Sequence, residues 1–353
     1  MDTSALLRWY RSHRRSMPWR DEVSPYRTMV SELMLQQTRV ETVIPYFHRF
    51  MVSFPTVEML AAAPLERVLE HWSGLGYYSR ARNLHAAARK IVELGCFPGT
   101  VAGLLELPGI GPYTAGAIGS IALGLDTPLV DGNVERVLCR QDALAEDPQK
   151  IKKQLWQRAE ELVPKGEAGD FNQALMELGA TVCTPTTPGC LWCPIRSTCK
   201  GHDSPERYPQ KAPKLPVPSA TACALIAEEN GCLLLARRPM SGLLAGLWEP
   251  PGGPGEDLGE ALQRRLGLEL ESPEFLGEVL HVFTHLRLTT RVYRARVRGE
   301  PKALDYLDFR WVPSADIDGM ALSTLARKLL HLQHGPAASR SRPQGKARHA
   351  PPS

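Results

Sequence analysis

The 353-residue chain contains no run of about 18 apolar residues, the length that a bilayer-spanning helix requires. Its first twenty residues, MDTSALLRWYRSHRRSMPWR, lack the apolar stretch of a secretory signal. The expectation is therefore a soluble, intracellular (cytoplasmic) protein with no membrane partner. Strand-like alternation is missing before Tyr208, which argues against a sheet in the first half. Net charge is nearly absent as well: the formal +4 is accounted for by the segment His334 to Ser353, which has four basic residues and no acidic one. Residues 1–333 balance. Any polyanionic partner must then be met by local patches, such as Arg8, Arg11, Arg14 and Arg15, or Arg80, Arg82, Arg89 and Lys90. Each patch could equally be a solvated helix face.

Among what is present, four of the eight cysteines fall within seventeen residues. Cys183, Cys190, Cys193 and Cys199 have the spacing C-x6-C-x2-C-x5-C, interrupted by Pro185, Pro188 and Pro194. In a chain expected to stay inside the cell, clustered thiols favour a metal over disulfides. Four thiolates hold either zinc or an iron–sulfur cluster, and spacing alone does not choose between them.

The length suits two domains. Helical periodicity covers 4–15, 30–39, 40–51, 56–72, 82–94, 114–124, 133–143, 148–163 and 169–180, giving a helical domain over 1–207 that includes the cysteine loop. A proline-rich linker, YPQKAPKLPVPS, occupies 208–219. From 220 to 333 the pattern changes to short apolar strands at 220–227, 232–237, 276–283, 286–297 and 309–312, with helices at 258–266 and 322–333. The tail, 334–353, is too poor in apolar residues to build a core and is expected to be disordered.

The stretch LPGIGPYTAGAIGSIALGLDTPLVDGNV, Leu107 to Val134, is the centre of the first domain. Gly109 and Gly111 permit a tight turn, and Pro112 suits the first turn of the helix that follows. Free N–H groups there would hold a phosphate, unless the segment is a plain helix-turn-helix. Asp131 follows an apolar run and precedes a glycine, the place of a helix cap or of a catalytic carboxylate. Upstream, Glu32 lies among apolar residues one turn before Gln36. Burial there would raise its pKa toward the range of an acid catalyst, whereas an exposed glutamate would pair with a neighbour such as Arg39. Tyr77 and Tyr78 follow a double glycine and precede Arg80 and Arg82, which suits either a loop entering a duplex or a packed turn. After the break at Met17-Pro18, Trp19 and Arg20 are placed to face a neighbouring surface.

Taken together, SELMLQQT (31–38), GLGYYSRAR (74–82), Leu107 to Thr114, Asp131 to Val134 and the cysteine loop resemble the adenine DNA glycosylase (MutY-like) branch of the helix-hairpin-helix glycosylase superfamily, from residue 5 to about 335. The resemblance implies an all-α helix-hairpin-helix domain with a cluster loop, then an α+β Nudix-like domain. It implies removal of adenine mispaired with 8-oxoguanine or guanine in double-stranded DNA by a monomer, and a 4Fe-4S cluster rather than zinc on the four cysteines. Glu32 would be the acid that protonates the departing adenine, and Asp131 would stabilise the cation-like sugar. Tyr113 and Asn133 would support these carboxylates, Trp19 and Arg20 would lie by the adenine pocket, and Gln37 and Tyr77 would fill the gap left by the flipped base. Gly109 and Gly111 belong to the DNA-holding hairpin.

In the second domain Phe283, Thr284 and His285 resemble the family's 8-oxoguanine-reading loop, with threonine in place of the usual serine. Ala261 to Leu266 stand where a Nudix hydrolase carries its magnesium-binding glutamates, so that hydrolase activity is not expected. Lyases of the superfamily have a lysine where this chain has Tyr113, so strand cleavage through a Schiff base should be poor. The rival readings are an endonuclease III-like lyase for oxidised pyrimidines and a non-catalytic lesion sensor.

Overall fold

A computed structural model describes residues 1–210 and 216–334. Part of the expected linker and almost all of the expected tail lie outside these residues. The chain divides into two compact units, Met1–Leu215 and Pro216–Ser353. Among the described residues no helix is long and apolar enough to cross a membrane.

The first unit is helical: α1 (Thr3–His13), α2 (Pro18–Asp21), α3 (Pro25–Leu35), α4 (Val40–Ser53), α5 (Val57–Ala62), α6 (Leu65–Trp72), α7 (Ser79–Leu94), α8 (Val101–Leu105), α9 (Pro112–Ala117), α10 (Gly132–Asp142), α11 (Lys152–Leu162) and α12 (Ala168–Thr181). Local chemistry sets many of the starts. Asp2, Ser24, Thr56 and Thr100 each accept a backbone N–H from the first turn of the helix they precede, which satisfies a donor that would otherwise have no intrahelical partner. Pro55 and Pro64 fall in the gaps between α4, α5 and α6.

Two expected helices are cut short. The one expected over 30–39 ends at Leu35, because Gln36 leaves helical geometry and Gln37 is left-handed, with φ of 58°. The run expected as one helix over 114–124 is α9 followed by a π-helical turn, Ile118–Ala122. At Gly116 an added Cβ would lie 2.2 Å from the carbonyl oxygen of Pro128. Only a glycine lets the segment leading to Asp131 pass so close to α9. Gly179 does the same for the start of α10: a Cβ there would fall 2.6 Å from that of Asn133.

Behind these approaches lies a core built by α1, α10, α11 and α12, including Leu6, Tyr10, Leu138, Leu155, Phe171, Leu175 and Leu178, all fully buried. Burial of a large apolar side chain contributes about 1.5 to 3 kcal/mol, so this core is what holds the N-terminus of α10 in place.

The second unit contains β1 (Ser219–Ile226), β2 (Glu228–Glu229), β3 (Cys232–Arg237), β4 (Trp248–Glu249), β5 (Gly252–Pro254), α13 (Leu258–Leu266), β6 (Glu269–Val282), β7 (Arg287–Arg298), β8 (Asp308–Pro313) and α14 (Thr324–His331). One sheet has the order β5-β1-β7-β6 and is parallel only between β1 and β7. The other has the order β2-β3-β4, with β8 added to β3. β6 starts at Glu269, seven residues before the expected 276; irregularities between Glu271 and Glu274 and between Phe275 and Gly277 obscure its alternation in the sequence.

α13 spans the expected helix, capped by Asp257 and closed by left-handed Gly267. On its inner face Arg265 is buried, donates to the Gly252 carbonyl at 2.6 Å and lies 3.8 Å over the Tyr306 ring. A buried cation therefore sits on the inner face of α13.

Candidate active site

One cleft of about 920 Å³ in the first unit brings together Trp19, Arg20, Glu32, Gln37, Tyr77, Gly109, Gly111, Tyr113, Asp131 and Asn133. These come from segments as far apart in the chain as α2 and α10, and they are the first-unit site residues that the family resemblance implied, apart from the four cysteines.

Glu32 is buried near the end of α3 and is not paired with Arg39; its Oε2 accepts a 2.6 Å hydrogen bond from the Tyr113 hydroxyl. Burial pushes its pKa up to about 7, and the negative charge of Asp131 adds to the rise, while the Tyr113 hydrogen bond and Arg20 pull it back. Of the two readings its sequence context allowed, the structure shows Asp131 as a helix cap. It caps α10, with Oδ1 accepting from the backbone N–H groups of Asn133 at 2.9 Å and Val134 at 2.8 Å. Its Oδ2 accepts from the Asn133 side chain at 2.9 Å. Burial raises the Asp131 pKa too, but these three donors and the nearby Arg136 favour its charged form. The two carboxyls thus differ in their supply of donors: three reach Asp131, and Tyr113 alone is bonded to the Glu32 side chain.

The wall beside them is set by Glu177 of α12, a buried acid missed by the sequence reading. It accepts from Arg15 at 2.7 Å and from Arg20 at 3.1 Å, and these two cations hold its pKa below the ordinary value against the effect of burial. Arg20 also donates to Gln173 at 3.1 Å. Trp19 is buried edge-on to Phe47. An acid inside the apolar run ALMELGA is the signal that would have pointed to Glu177. Arg15, which the sequence places only in a basic patch, belongs to this wall.

At the mouth of the cleft Tyr77 is 45% exposed, while Tyr78 beside it is buried. The pair divides into one projecting and one packed ring. The Tyr77 hydroxyl donates to Gln37 Oε1 at 3.1 Å. Gly109 is left-handed, with φ of 74°, and a Cβ there would meet the Asn83 side chain at 2.4 Å, so the hairpin turn is packed directly on α7. Arg80 is not part of a solvated basic face, because its side chain is buried.

Cys183, Cys190, Cys193 and Cys199 line one cavity, with Val137, Leu178, Ile195 and Arg140 among its other walls. All the cysteines among the described residues are free thiols, and no three metal-ligating side chains there are grouped closely enough to hold one ion. Burial, followed by the neighbouring thiols, pushes the pKa of Cys193 up to about 11 and raises Cys190 and Cys199. Arg140 donates to the Cys183 sulfur at 3.3 Å and to the Thr184 carbonyl at 2.7 Å. Four cysteine sulfurs on the walls of one cavity are the donor type that a cationic inorganic centre takes, although they are not drawn together around one ion here.

In the second unit Phe283, Thr284 and His285 form the turn between β6 and β7, closed by a 2.7 Å bond from the Phe283 N–H to the Leu286 carbonyl. Phe283 is half-buried against His281, at 4.5 Å between ring centroids, while Thr284 and His285 are exposed.

Comparison with known proteins defines the class. Residues 30–161 match the HhH-GPD superfamily of base excision DNA repair proteins, and residues 222–332 match the NUDIX domain. A structure of a thermostable thymine-DNA glycosylase shares 30% identity and a TM-score of 0.52, covering 57% of this chain and 94% of its own. The chain is 39% identical to the adenine DNA glycosylase of Rattus norvegicus, covering 96% of this chain and 80% of the relative. With that of Homo sapiens it shares 39% identity, over 94% of this chain and 73% of the relative. The chain belongs to the adenine DNA glycosylases and is a base excision repair enzyme that breaks N-glycosidic bonds.

The Tyr113 hydroxyl stabilises the charged form of Glu32, so its removal must raise the Glu32 pKa. Carboxyl ¹³C NMR is expected to place the Glu32 midpoint at about 7 and to show it higher in Tyr113→Phe. A midpoint that stays put or falls would contradict this geometry.

Proposed function

We propose that this glycosylase flips adenine out of A:8-oxoguanine and A:G mispairs in double-stranded DNA and hydrolyses its bond to the sugar, with Glu32 as acid and Asp131 as the stabilising anion. The observation that carries the reading is the buried Glu32 carboxyl, with its pKa pushed up to about 7, in the same cleft as a donor-rich Asp131. Adenine is a poor leaving group until a ring nitrogen is protonated, and the sugar left behind is cation-like. One carboxyl must therefore enter the reaction protonated while the other remains charged. Glu32 gives its proton to the base, Asp131 offsets the positive charge on the sugar, and water completes the hydrolysis.

Tyr113 orients the Glu32 carboxyl, and Asn133 orients Asp131. Trp19 and Arg20 border the extruded adenine, Gln37 and Tyr77 fill the space it leaves, and the Gly109–Gly111 hairpin holds the backbone of the strand. Tyr113 also occupies the position at which a lyase needs an amine, which supports a monofunctional enzyme over an endonuclease III-like one. Phe283, Thr284 and His285 read the opposing 8-oxoguanine. Cys183, Cys190, Cys193 and Cys199 hold a 4Fe-4S cluster that fastens the end of the helical domain. The enzyme acts as a monomer on DNA inside the cell.

Glu32→Gln is expected to keep binding the A:8-oxoguanine duplex and to lose about 100- to 10,000-fold in single-turnover excision, the usual weight of general acid–base catalysis. Near-normal excision would remove Glu32 from the reaction. A separate check concerns the opposing base: a good paired contact to a base is worth about 1 to 3 kcal/mol, or roughly 5- to 150-fold. Phe283→Ala combined with His285→Ala should slow excision opposite 8-oxoguanine by that factor and leave excision opposite guanine nearly unchanged. Equal losses on the two duplexes would mean that the loop supplies only general affinity. For the cofactor, protein purified without oxygen should contain about four iron atoms per chain and absorb in the visible. Stoichiometric zinc without iron would overturn the cluster assignment.

A further inference from the structure

Arg80, in the first turn of α7, is only 6% exposed, yet its described side-chain partners are carbonyl and hydroxyl oxygens rather than a carboxylate. Burial lowers its pKa to about 10, which leaves it charged at neutral pH. Its planar fork reaches two segments far apart in sequence. One is the end of α3, where Nη1 donates to the carbonyls of Leu33 at 2.8 Å, Met34 at 2.9 Å and Gln36. The other is the loop before α7, where Nη2 donates to Gly76 at 3.1 Å and Leu75 at 3.3 Å. The guanidinium also lies 5.3 Å from the centre of the Tyr77 ring.

The two carbonyls at Gln36 and Gly76 belong to the peptide groups that lead into Gln37 and Tyr77. Both of those residues are left-handed, with φ of 58° and 48°, a conformation that large side chains adopt only when their surroundings enforce it. Arg80 binds the peptide on the entry side of each, and the two side chains then meet in the 3.1 Å hydrogen bond from Tyr77 to Gln37. The same guanidinium holds the helix end that carries Glu32.

We infer that Arg80 is a positioning residue for base extrusion: it locks Gln37 and Tyr77 into their projecting conformation and fixes that wedge relative to the helix bearing Glu32. The inference rests on the wedge role proposed above for Gln37 and Tyr77. A lysine in place of Arg80 keeps the charge and three donors, but a single ammonium lacks the fork that spans both segments. It should therefore rescue only part of the loss caused by a neutral side chain.

The test separates opening of the duplex from chemistry. Arg80→Gln and Arg80→Lys are compared with the parent on A:8-oxoguanine duplexes carrying 2-aminopurine beside the target adenine, whose fluorescence reports unstacking. The same proteins are assayed on an adenine already extrahelical in a bulge. Arg80→Gln should lose the fluorescence rise and slow excision from the paired duplex by roughly tenfold or more, as expected when several buried carbonyls lose a charged donor. Excision from the bulge should change much less, and Arg80→Lys should fall between. If Arg80→Gln fails to fold, Arg80→Lys carries the comparison. Equal slowing on the two substrates would overturn the inference and leave Arg80 a general support of the domain. Tyr77→Ala is the control. Should it leave the fluorescence rise intact, the wedge reading fails and takes this inference with it. Loss of the signal in Tyr77→Ala but not in the Arg80 variants overturns the inference alone.

Discussion

Two buried carboxyl groups, Glu32 and Asp131, share one cleft, and the first unit is arranged around the cost of burying both. Burial alone would push both toward the neutral form. The difference comes from backbone geometry: Asp131 sits at the start of α10, where two N–H groups lack intrahelical partners and point at its oxygen, whereas Glu32 sits near the end of α3, where no such donors exist. Its one recorded side-chain hydrogen bond comes from Tyr113. The close approaches at Gly116 and Gly179 then decide where that helix start lies. A side chain at either position would shift Asp131 before it altered any contact with DNA.

Much of this was legible in the sequence because the chemistry is local. Asp131 before a glycine, Gly109 and Gly111 before Pro112, and four closely spaced cysteines all announce themselves within a few residues. The two-part organisation, helical and then strand-rich, follows from a change of period that the structure retains. What escaped the sequence depends on distant partners. Glu177 gains its place only once α12 packs beside Arg15 and Arg20. Arg80 looked like one charge of a basic patch, and nothing nearby in the chain says that four of its acceptors lie 42 to 47 residues upstream. The early end of α3 has the same origin, since a helical pattern that continues through Gln37 is overridden by a tertiary contact. The irregularities that hid the first half of β6 are likewise visible only against β7.

The second unit keeps its scaffold while changing the charge of what the scaffold holds. Arg265 projects from α13 onto the Gly252 carbonyl and the Tyr306 ring, and Tyr306 in turn bonds to Glu249 at 3.0 Å. The guanidinium places a positive charge in a buried position. Away from that helix, the β6–β7 turn presents Phe283, Thr284 and His285.

β6 ends its sheet, so one side of the longest strand in the described chain has no sheet partner. An unguarded edge of fourteen residues would be a template for joining two molecules through their backbones. Here Pro273 removes one donor, the two irregularities break the repeat, and Glu269, Glu271, Glu274 and Glu278 place negative charge along the strand. Glu271, Glu274 and Glu278 are paired with Arg298, Arg294 and Arg291 of β7, so the proline and the two irregularities, more than charge, spoil this edge for a joining strand. An edge so interrupted gives a second copy of this strand no continuous row of backbone groups to pair with.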